Sequence, residues 1–510
     1  MVEESRTHKS IKNSLYGILV VVLNTAISFV TRIFLIRHLG VEVLGLNGLF
    51  SEVITMMSLA ELGVGMAIIY SLYQPMYESD YKKISQLMSL FRSAYHYIAI
   101  GTLIIGLILL PFIQYLITDI EYPISYIRLV FILFVINTSS SYLFSYKTAL
   151  LNVDQKQYII SIITAIIRLI FTGITIYLLI TTENYVIYLI VLISQSIITN
   201  FTISKYVDRH YTYLDFKEKL EKEERKDVFR NIKNIFIKRL SGVITSSSTN
   251  VLISTLVSTI QVGYYSNYVM LFSPFKILRN QISNAITASI GNLSVSESSE
   301  RCISVLKRLT FIFFTYAIVM STILMSVGDL FIKLWLGEEF VMSSVIITVA
   351  ILNIYLDVTS VPLWQYLEVS GLFKQDRNIA ILGSTLNLIV AFVFGLKIGI
   401  VGIFLGTVCT QVVQLILKTK LLFKNKYATS PFSYYYMHIK IFLAFIMIVA
   451  IQYFLISHLR MNNIYIEFII KVFLSLLESI FIIFLFFGKS EYYFYSINLV
   501  KQFIIKKKND

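Results

Sequence analysis

The sequence predicts an all-α, polytopic membrane protein with about fourteen transmembrane helices. Of its 510 residues, 56% are hydrophobic and only 15% are charged, and the mean hydropathy is +0.73. A soluble protein of this length would have about a quarter of its residues charged. Because a spanning helix needs about 20 mostly apolar residues, the apolar runs of this chain suffice for about fourteen spans.

The predicted spans follow one another with short polar segments between them. Each one is an apolar run long enough to cross the hydrocarbon core of a bilayer. No segment on the predicted outer side is long enough to form a catalytic domain. The fourteen runs are Ser14–Ile36, Gly45–Tyr70, Ala94–Leu116, Ile124–Tyr146, Tyr158–Thr181, Tyr185–Lys205, Ile237–Ser258, Val262–Ala285, Thr310–Leu334, Ser343–Tyr366, Ile379–Leu396, Gly399–Leu417, Ile439–Ser457 and Ile464–Phe487.

Basic residues predict the orientation of the chain in the cell membrane. Lys and Arg concentrate in cytoplasmic loops, and a cytoplasmic N-terminus places 34 of the 44 on that side. The outer loops then hold only Arg37, Lys397 and Arg460. Both termini are therefore predicted to be cytoplasmic. The net charge of +14 then faces anionic membrane lipids and does not indicate a nucleic-acid partner.

A charged segment divides the spans into a group of six and a group of eight. We predict an N-terminal lobe at 1–206, a cytoplasmic linker at 207–236, a C-terminal lobe at 237–420 and two further helices with a tail at 421–510. In the linker, Asp215–Lys233 mixes charges at helical spacing and predicts a solvated helix. An offset of 218 residues aligns Gly45 with Gly263, which weakly indicates a parallel repeat.

Cations within the spans are the first candidates for a functional site. Arg168, Lys276 and Arg279 lie well inside their spans, where an unpaired charge costs several kcal/mol. Each could form a structural salt bridge or face a ligand in a hydrated cavity. The first span carries Asn24, Ser28 and Arg32 at helical spacing, which predicts one polar face.

Acids within the spans allow either ion pairing or ion coupling. Glu61 could pair with Lys276 or Arg279, or it could titrate. Asp357 could bind a proton or Na⁺.

Two further pairs are predicted to be structural. Arg32 and Glu52 lie at similar depth on neighbouring spans and are expected to form an ion pair. Glu467 and Lys471 are four residues apart in the order that favours an intrahelical pair.

The sequence lacks the residue sets of common membrane enzymes. Neither Cys302 nor Cys409 has a second metal-binding residue at a suitable spacing in the sequence, so neither a metal nor a cofactor is expected. An acyltransferase would need a histidine within a span, and a polymerase would normally need a large outer loop. No span contains a histidine near its middle; the six are His8, His38, His96, His210, His438 and His458.

The stretch Phe34–Ile84 carries a family resemblance. It reads FLIRHLGVEVLGLNGLFSEVITMMSLAELGVGMAIIYSLYQPMYESDYKKI and resembles the N-terminal signature of Wzx-type polysaccharide flippases. The run Asn152–Lys156 is similar to family members as well. These flippases form the polysaccharide-transporter branch of the multidrug/oligosaccharidyl-lipid/polysaccharide (MOP) exporter superfamily, which is MATE-like.

This resemblance implies a fold and a cargo. It implies two six-helix lobes around a cavity lined by the first, second, seventh and eighth spans, and alternating access of the lobes. The implied cargo is an oligosaccharide repeat unit on undecaprenyl diphosphate, moved across the membrane for capsule or exopolysaccharide biosynthesis. Polymerase and glycosyltransferases of the pathway would be partners, and H⁺ or Na⁺ could drive transport. The cations expected to hold the diphosphate are Arg32, Arg168, Lys276 and Arg279.

Other functions in the same superfamily stay open at this point. A flippase for peptidoglycan or teichoic acid precursors would need similar residues. A cation-coupled multidrug exporter is the more distant alternative, and the sugar-branch motif around Glu61 argues against it.

Overall fold

The computed structural model describes residues 6–226, 228, 232, 247–456, 458–459 and 461–498. All regular secondary structure in these ranges is helical, which confirms the predicted fold class. The longer helices, which we number in chain order, are α1 Arg6–Met57, α2 Leu59–Glu78, α3 Tyr81–Leu109, α4 Ile124–Ser145, α5 Thr148–Val153, α6 Gln157–Thr182, α7 Tyr185–His210, α8 Thr259–Ser296, α9 Ser299–Trp335, α10 Ser344–Val369, α11 Phe373–Asn425, α12 Phe432–Ile451 and α13 Ile464–Phe487.

In the described ranges, ten helices are long and apolar enough to cross a membrane. Two of them contain a pair of helices each. The helix α1 changes conformation at Gly40, which has φ 79° and ψ 177°, and α11 does so at Ile398 and Gly399. These breaks fall between the first and second predicted spans and between the eleventh and twelfth.

The two parts of α11 fold back on each other as a hairpin. Gly406 packs against the backbone of Ala391, and a Cβ atom on Gly406 would lie 2.7 Å from the Ala391 nitrogen. Farther from the reversal at Gly399, Asn387 Nδ2 lies 3.2 Å from Thr407 Oγ1. Gly399 has φ 61°, a conformation that glycine adopts without a steric penalty. It therefore permits the tight reversal.

The predicted boundaries of the second and third spans are wrong. The second was predicted to be continuous over Gly45–Tyr70, but Ser58, with ψ 7°, separates α1 from α2. The third begins at Tyr81 and not at Ala94, capped by the Asp80 side chain, which accepts from the Lys83 backbone nitrogen. Hydropathy marks the apolar part of a helix and misses its polar extension beyond that part.

The seventh and eighth predicted spans have different outcomes. The first ten residues of the seventh, Ile237–Ser258, lie outside the described residues, and residues 247–256 are helical. The eighth corresponds to α8, which is helical for 38 residues but is not among the ten apolar spans of the described ranges. Its polar stripe, which starts at Lys276, lowers the hydropathy of this helix.

The chain divides into two compact units, Met1–Gly263 and Tyr264–Asp510. The first contains two clusters of buried side chains, one around Phe50 and Phe131 and the other around Phe91 and Leu150. The second contains a cluster around Tyr366. The boundaries of the predicted lobes stay a prediction.

The start of the predicted linker helix is wrong, because residues 215–221 are not helical. This segment packs on the first unit. Ser89 Oγ donates to the Phe216 carbonyl at 2.8 Å, and Ser85 Oγ donates to the Tyr213 carbonyl at 3.1 Å. The Arg92 guanidinium carbon lies 5.3 Å from the centre of the Phe216 ring. Charge spacing alone could not reveal these contacts with α3.

Candidate functional site

Two of the predicted cations share one aromatic neighbour in the first unit. Arg168 on α6 donates from Nη2 to Ser28 Oγ on α1 at 2.6 Å. Both Arg168 and Arg32 interact electrostatically with Tyr188 on α7. Arg32 also interacts with Tyr185. The structure therefore brings together Ser28 and Arg32, from the predicted polar face of the first span, and the mid-span cation of α6.

Arg168 has N–H donors that its described contacts do not use. A guanidinium carries five N–H donors. Within the described ranges, Arg168 forms one side-chain hydrogen bond and no ion pair with a carboxylate. The hydroxyl of Tyr185, which can donate, is buried there without a hydrogen-bond partner among the described residues. Such a set can accept an anion, because donors are present and no acid of the described part of the chain forms an ion pair with Arg168.

In the second unit, Arg279 has an acidic partner. Arg279 Nη1 on α8 forms an ion pair with Asp357 Oδ2 on α10, and the two side chains are 19% and 27% exposed. Arg279 Nη2 also donates to Asn280 Oδ1 at 2.8 Å. Of the two roles predicted for this arginine, the pair supports the structural one. It does not exclude a ligand on the remaining donor edge.

Lys276 and Asn280 lie one turn apart on α8 and are both exposed within the unit. Further along the helix, Ser283 and Thr287 are instead held by Gln365 on α10, whose Nε2 lies 2.7 Å from Ser283 Oγ and 2.9 Å from Thr287 Oγ1. The polar residues of α8 therefore divide into an exposed part and a packed part.

Glu61 on α2 lies among hydroxyl groups of the same unit. It accepts a side-chain hydrogen bond from Tyr142 on α4 and interacts electrostatically with Tyr95 on α3. Tyr142 is also hydrogen-bonded to Ser58, the residue at the break between α1 and α2. The acid is thus held in a polar pocket beside an irregular backbone position.

The acidic and basic residues of α13 follow the predicted spacing. Lys471 Nζ lies 2.7 Å from Glu467 Oε1. Asp329 on α9 interacts electrostatically with Lys471 and accepts from Tyr268 Oη at 2.7 Å. The predicted pairing of Arg32 with Glu52 stays a prediction.

The tyrosines of these sites were not predicted from the sequence. Tyr188, Tyr142 and Tyr95 were counted as apolar residues of their spans. Tyrosine presents an apolar ring and a polar hydroxyl, so it can lie within an apolar run and still bind a charged group. A search for tyrosines at the depth of the charged residues could have found them.

The first unit has a second charged cluster, where residues 147–156 meet the end of α7. Lys147 Nζ lies 2.7 Å from Asp208 Oδ1, and Asp154 pairs with Lys156 at the same distance. Tyr211 Oη donates to Asp154 Oδ2 at 2.6 Å. Burial, and then this neighbouring carboxylate, raise the pKa of Tyr211 well above its ordinary value. These contacts fix the Asn152–Lys156 run to the start of the linker.

The sequence matches one protein family, and the fold matches known transporters. Residues 10–290, more than half of the chain, match the family described as polysaccharide biosynthesis protein. The lipid II flippase MurJ, in an inward closed conformation, superposes with a TM-score of 0.69 at 17% identity, over 93% of this chain and 99% of that chain.

Two MATE transporters are also similar in fold. An inward-facing multidrug resistance MATE family transporter of the MOP superfamily gives a TM-score of 0.55 at 15% identity, over 77% of this chain and 92% of that chain. The Vibrio cholerae transporter VcmN gives 0.56 at 13% identity, over 83% and 100%. No curated protein sequence matches significantly. At these identities the structural matches establish a shared fold.

Proposed function

Because this chain belongs to the polysaccharide biosynthesis protein family, we propose that it is a flippase for lipid-linked oligosaccharides. Membership of this family confirms the resemblance seen in Phe34–Ile84. The proposed cargo is an oligosaccharide repeat unit on undecaprenyl diphosphate, moved from the inner to the outer leaflet of the cytoplasmic membrane. The proposed pathway is capsule or exopolysaccharide biosynthesis, with its polymerase and glycosyltransferases as partners.

The arginine cluster of Arg32 and Arg168 is the observation that carries this proposal. A diphosphate presents several oxygen acceptors with negative charge, and arginine binds such groups through paired N–H donors. Arg168 contacts a serine hydroxyl and a tyrosine, and it has no carboxylate partner among the described residues. An anionic headgroup would supply the missing counter-charge. Lys276 and Arg279 are proposed as further contacts.

We propose that transport follows alternating access of two lobes, with both termini in the cytoplasm. The proposed lobes are 1–206 and 237–420, joined by the linker 207–236 and followed by 421–510. H⁺ or Na⁺ bound at Glu61 or Asp357 would drive the cycle. Glu61 suits this role because its partners are neutral hydroxyl groups, whereas Asp357 already has Arg279 as a counter-ion.

Reconstitution tests the proposal directly. The purified chain is placed in liposomes with a fluorescent undecaprenyl-diphosphate oligosaccharide, and the labelled lipid reaching the opposite leaflet is measured by a membrane-impermeant quencher. Translocation above protein-free liposomes is expected. An oligosaccharide on a neutral polyprenol is the matched control and should move poorly, because it lacks the diphosphate. Equal movement of both lipids, or of neither, would contradict the proposal.

A peptidoglycan-type precursor is the second candidate cargo. The observation that favours it is the similarity to the lipid II flippase over nearly the whole of both chains, whereas the two MATE transporters cover less of this chain. The same assay decides between them with undecaprenyl diphosphate carrying a peptidoglycan disaccharide-peptide. Transport of a cationic dye with no transport of either lipid would instead identify a multidrug exporter.

A further inference from the structure

The last helix contains a buried carboxyl group that the proposed cargo site does not use. Glu478 lies fourteen residues from the start of α13 and nine from its end, and it is 6% exposed. Its Oε2 atom lies 2.5 Å from Nε2 of Gln452. Its Oε1 atom is buried and has no hydrogen-bond partner in the described ranges.

Neutral polar side chains from three segments surround this carboxyl group. Gln452 begins the π-helical turn Gln452–Ile456 that follows α12, and such turns are frequent at functional sites. Both side-chain amide atoms of Gln452 lie within 3.0 Å of Ser326 Oγ on α9. One turn before Ser326, Thr322 Oγ1 lies 2.7 Å from Ser479 Oγ on α13. Glu478 therefore belongs to a polar network that joins α9, α12 and α13.

The distances in this network favour a neutral carboxylic acid. A separation of 2.5 Å is shorter than the usual range for an N–H···O bond and lies at the short end of the range for an O–H···O bond. The oxygen and nitrogen of a glutamine amide exchange places by a half-turn of the group and are assigned from their surroundings. With that half-turn, Glu478 donates its proton to the Gln452 oxygen, and the Gln452 nitrogen donates to Ser326. An ionised Glu478 would instead leave a buried negative charge without a second donor.

The other charged groups of the packed helices do not neutralise Glu478. On α13, Lys471 is paired with Glu467 at 2.7 Å. On α9, Asp329 is bonded to Tyr268 and would repel a second negative charge. On α12, the ring of His438 is buried and its Nε2 atom has no partner among the described residues. No cation in the described ranges forms an ion pair with Glu478.

We propose that Glu478 is a proton-binding site, with the proton held on its carboxyl group and donated in a hydrogen bond to Gln452. The ligand is a single proton, held where α13 packs on α9 and α12. Loss of this proton would leave a buried negative charge at this contact with no cation to neutralise it among the described residues, and would weaken the attachment of α13. The site would therefore make the packing of the last helix sensitive to pH. This inference does not depend on the proposed cargo.

Infrared spectroscopy of the purified full chain in lipid nanodiscs tests the site. At neutral pH, we expect a protonated-carboxyl C=O band that disappears in Glu478→Gln and is retained in the matched control Glu467→Gln, which removes the ion-paired acid of the same helix. Gln452→Leu should shift the band, because the carboxyl group loses its acceptor. If Glu478→Gln does not fold, Gln452→Leu decides the question, because a shift of the band in this variant identifies the carboxyl group that contacts Gln452.

Two results would overturn the proposal. One is a native spectrum with no protonated-carboxyl band at neutral pH, or a band that Glu478→Gln leaves intact. The other is a carboxylate band that shifts when Na⁺ replaces choline at constant ionic strength, which would identify a metal-cation site in place of a proton site. Neither measurement involves lipid transport, so failure here and failure of the proposed function can be told apart.

Discussion

Gly263 packs so closely against Gly45 that a Cβ atom on Gly263 would lie 3.0 Å from the Gly45 backbone nitrogen. These are the two glycines that the 218-residue offset aligned. The contact is made between the second part of α1 and the first turn of α8. A Cβ atom on Gly45 would in turn collide with the backbone carbonyl of Thr259. Both glycines are therefore required by the close approach of two backbones.

Replacement of Gly45 by alanine should destabilise the protein. Backbone atoms cannot move aside as a flexible side chain can, and overpacking typically costs about 1–3 kcal/mol. The apparent melting temperature of Gly45→Ala in detergent should fall clearly. Gly173→Ala on α6 is the matched control, since no atom lies within 4 Å of its added methyl group, and it should melt at or slightly above the native temperature. Equal melting of the two variants would contradict the close contact.

Arg168→Gln should reduce lipid translocation by about tenfold or more. A hydrogen bond to a charged group contributes roughly 1.5–3 kcal/mol, and about 1.4 kcal/mol corresponds to a factor of ten. Arg168→Lys should retain part of the activity, because the charge remains and the paired donors are lost. The control is Arg37→Gln, an exposed arginine of the same unit. If Arg168→Gln moves the lipid at the native rate, this arginine does not bind the cargo.

The pair of Arg279 and Asp357 should show non-additive effects on stability. Either Arg279→Gln or Asp357→Asn leaves one half-buried charge without its partner, and the double variant removes both charges. The coupling energy from a double-mutant cycle of melting data should be about 0.5–3 kcal/mol. Because Arg279 is a proposed cargo contact, the double variant should remain poor in translocation after regaining stability. Additive losses of stability would show that the ion pair is weak in the folded protein.

Glu61→Gln should abolish the dependence of translocation on an imposed proton gradient. The substitution keeps the shape of the side chain near Tyr142 and removes the group that can gain or lose a proton. Tyr142→Phe, which removes the hydroxyl donor, should alter the pH dependence without abolishing it. Glu183→Gln is the control, since Glu183 is an exposed acid paired with His38 at 2.9 Å. A gradient response that survives in Glu61→Gln would exclude this acid as the coupling site.

Phe216→Ala should expose the linker to protease. The Phe216 ring is partly buried and contacts Arg92 and Lys147, and full burial of an aromatic side chain contributes about 1.5–3 kcal/mol. Cleavage of a locally opened segment follows the population of that open form, so trypsin should cut after Lys217 roughly tenfold faster. Glu223→Ala changes an exposed residue of the same segment and should leave the rate unchanged. Equal cleavage of the two variants would mean that Phe216 does not anchor the linker.

The helical fold class and the polar helix faces could be predicted from the sequence. The local backbone geometry was predicted less well. Apolar length alone placed α4, α7 and α13 within a few residues, because the hydrocarbon thickness of a bilayer sets a minimum length for each span. Apolar length could not locate the break at Ser58 or the polar start of α3, because packing and a helix cap determine the backbone conformation there. The backbone conformation of the linker segment 215–221 is set by its contacts with α3, although its charge pattern favours a helix.

The charged residues of the candidate site could be predicted from the sequence, but their hydrogen-bond and ion-pair partners could not. A charged side chain in hydrocarbon has a high free-energy cost, which made Arg168 and Arg279 candidates for a functional site. Both lie among polar groups in the structure. Which partner each one takes depends on the register between helices, which a single sequence does not give. Arg279 therefore pairs with Asp357, an alternative that the sequence did not single out, while Arg168 contacts Ser28 and Tyr188.

The hairpin of α11 restricts how the topology of this protein can be mapped. Its two arms are joined through Ile398 and Gly399 alone, so an epitope inserted there would separate Gly406 from Ala391. A misfolded fusion would then be mistaken for an inaccessible one. Reporter fusions are better placed in residues 426–431, between α11 and α12, where the backbone is irregular and an added segment would leave the arms of the hairpin in register.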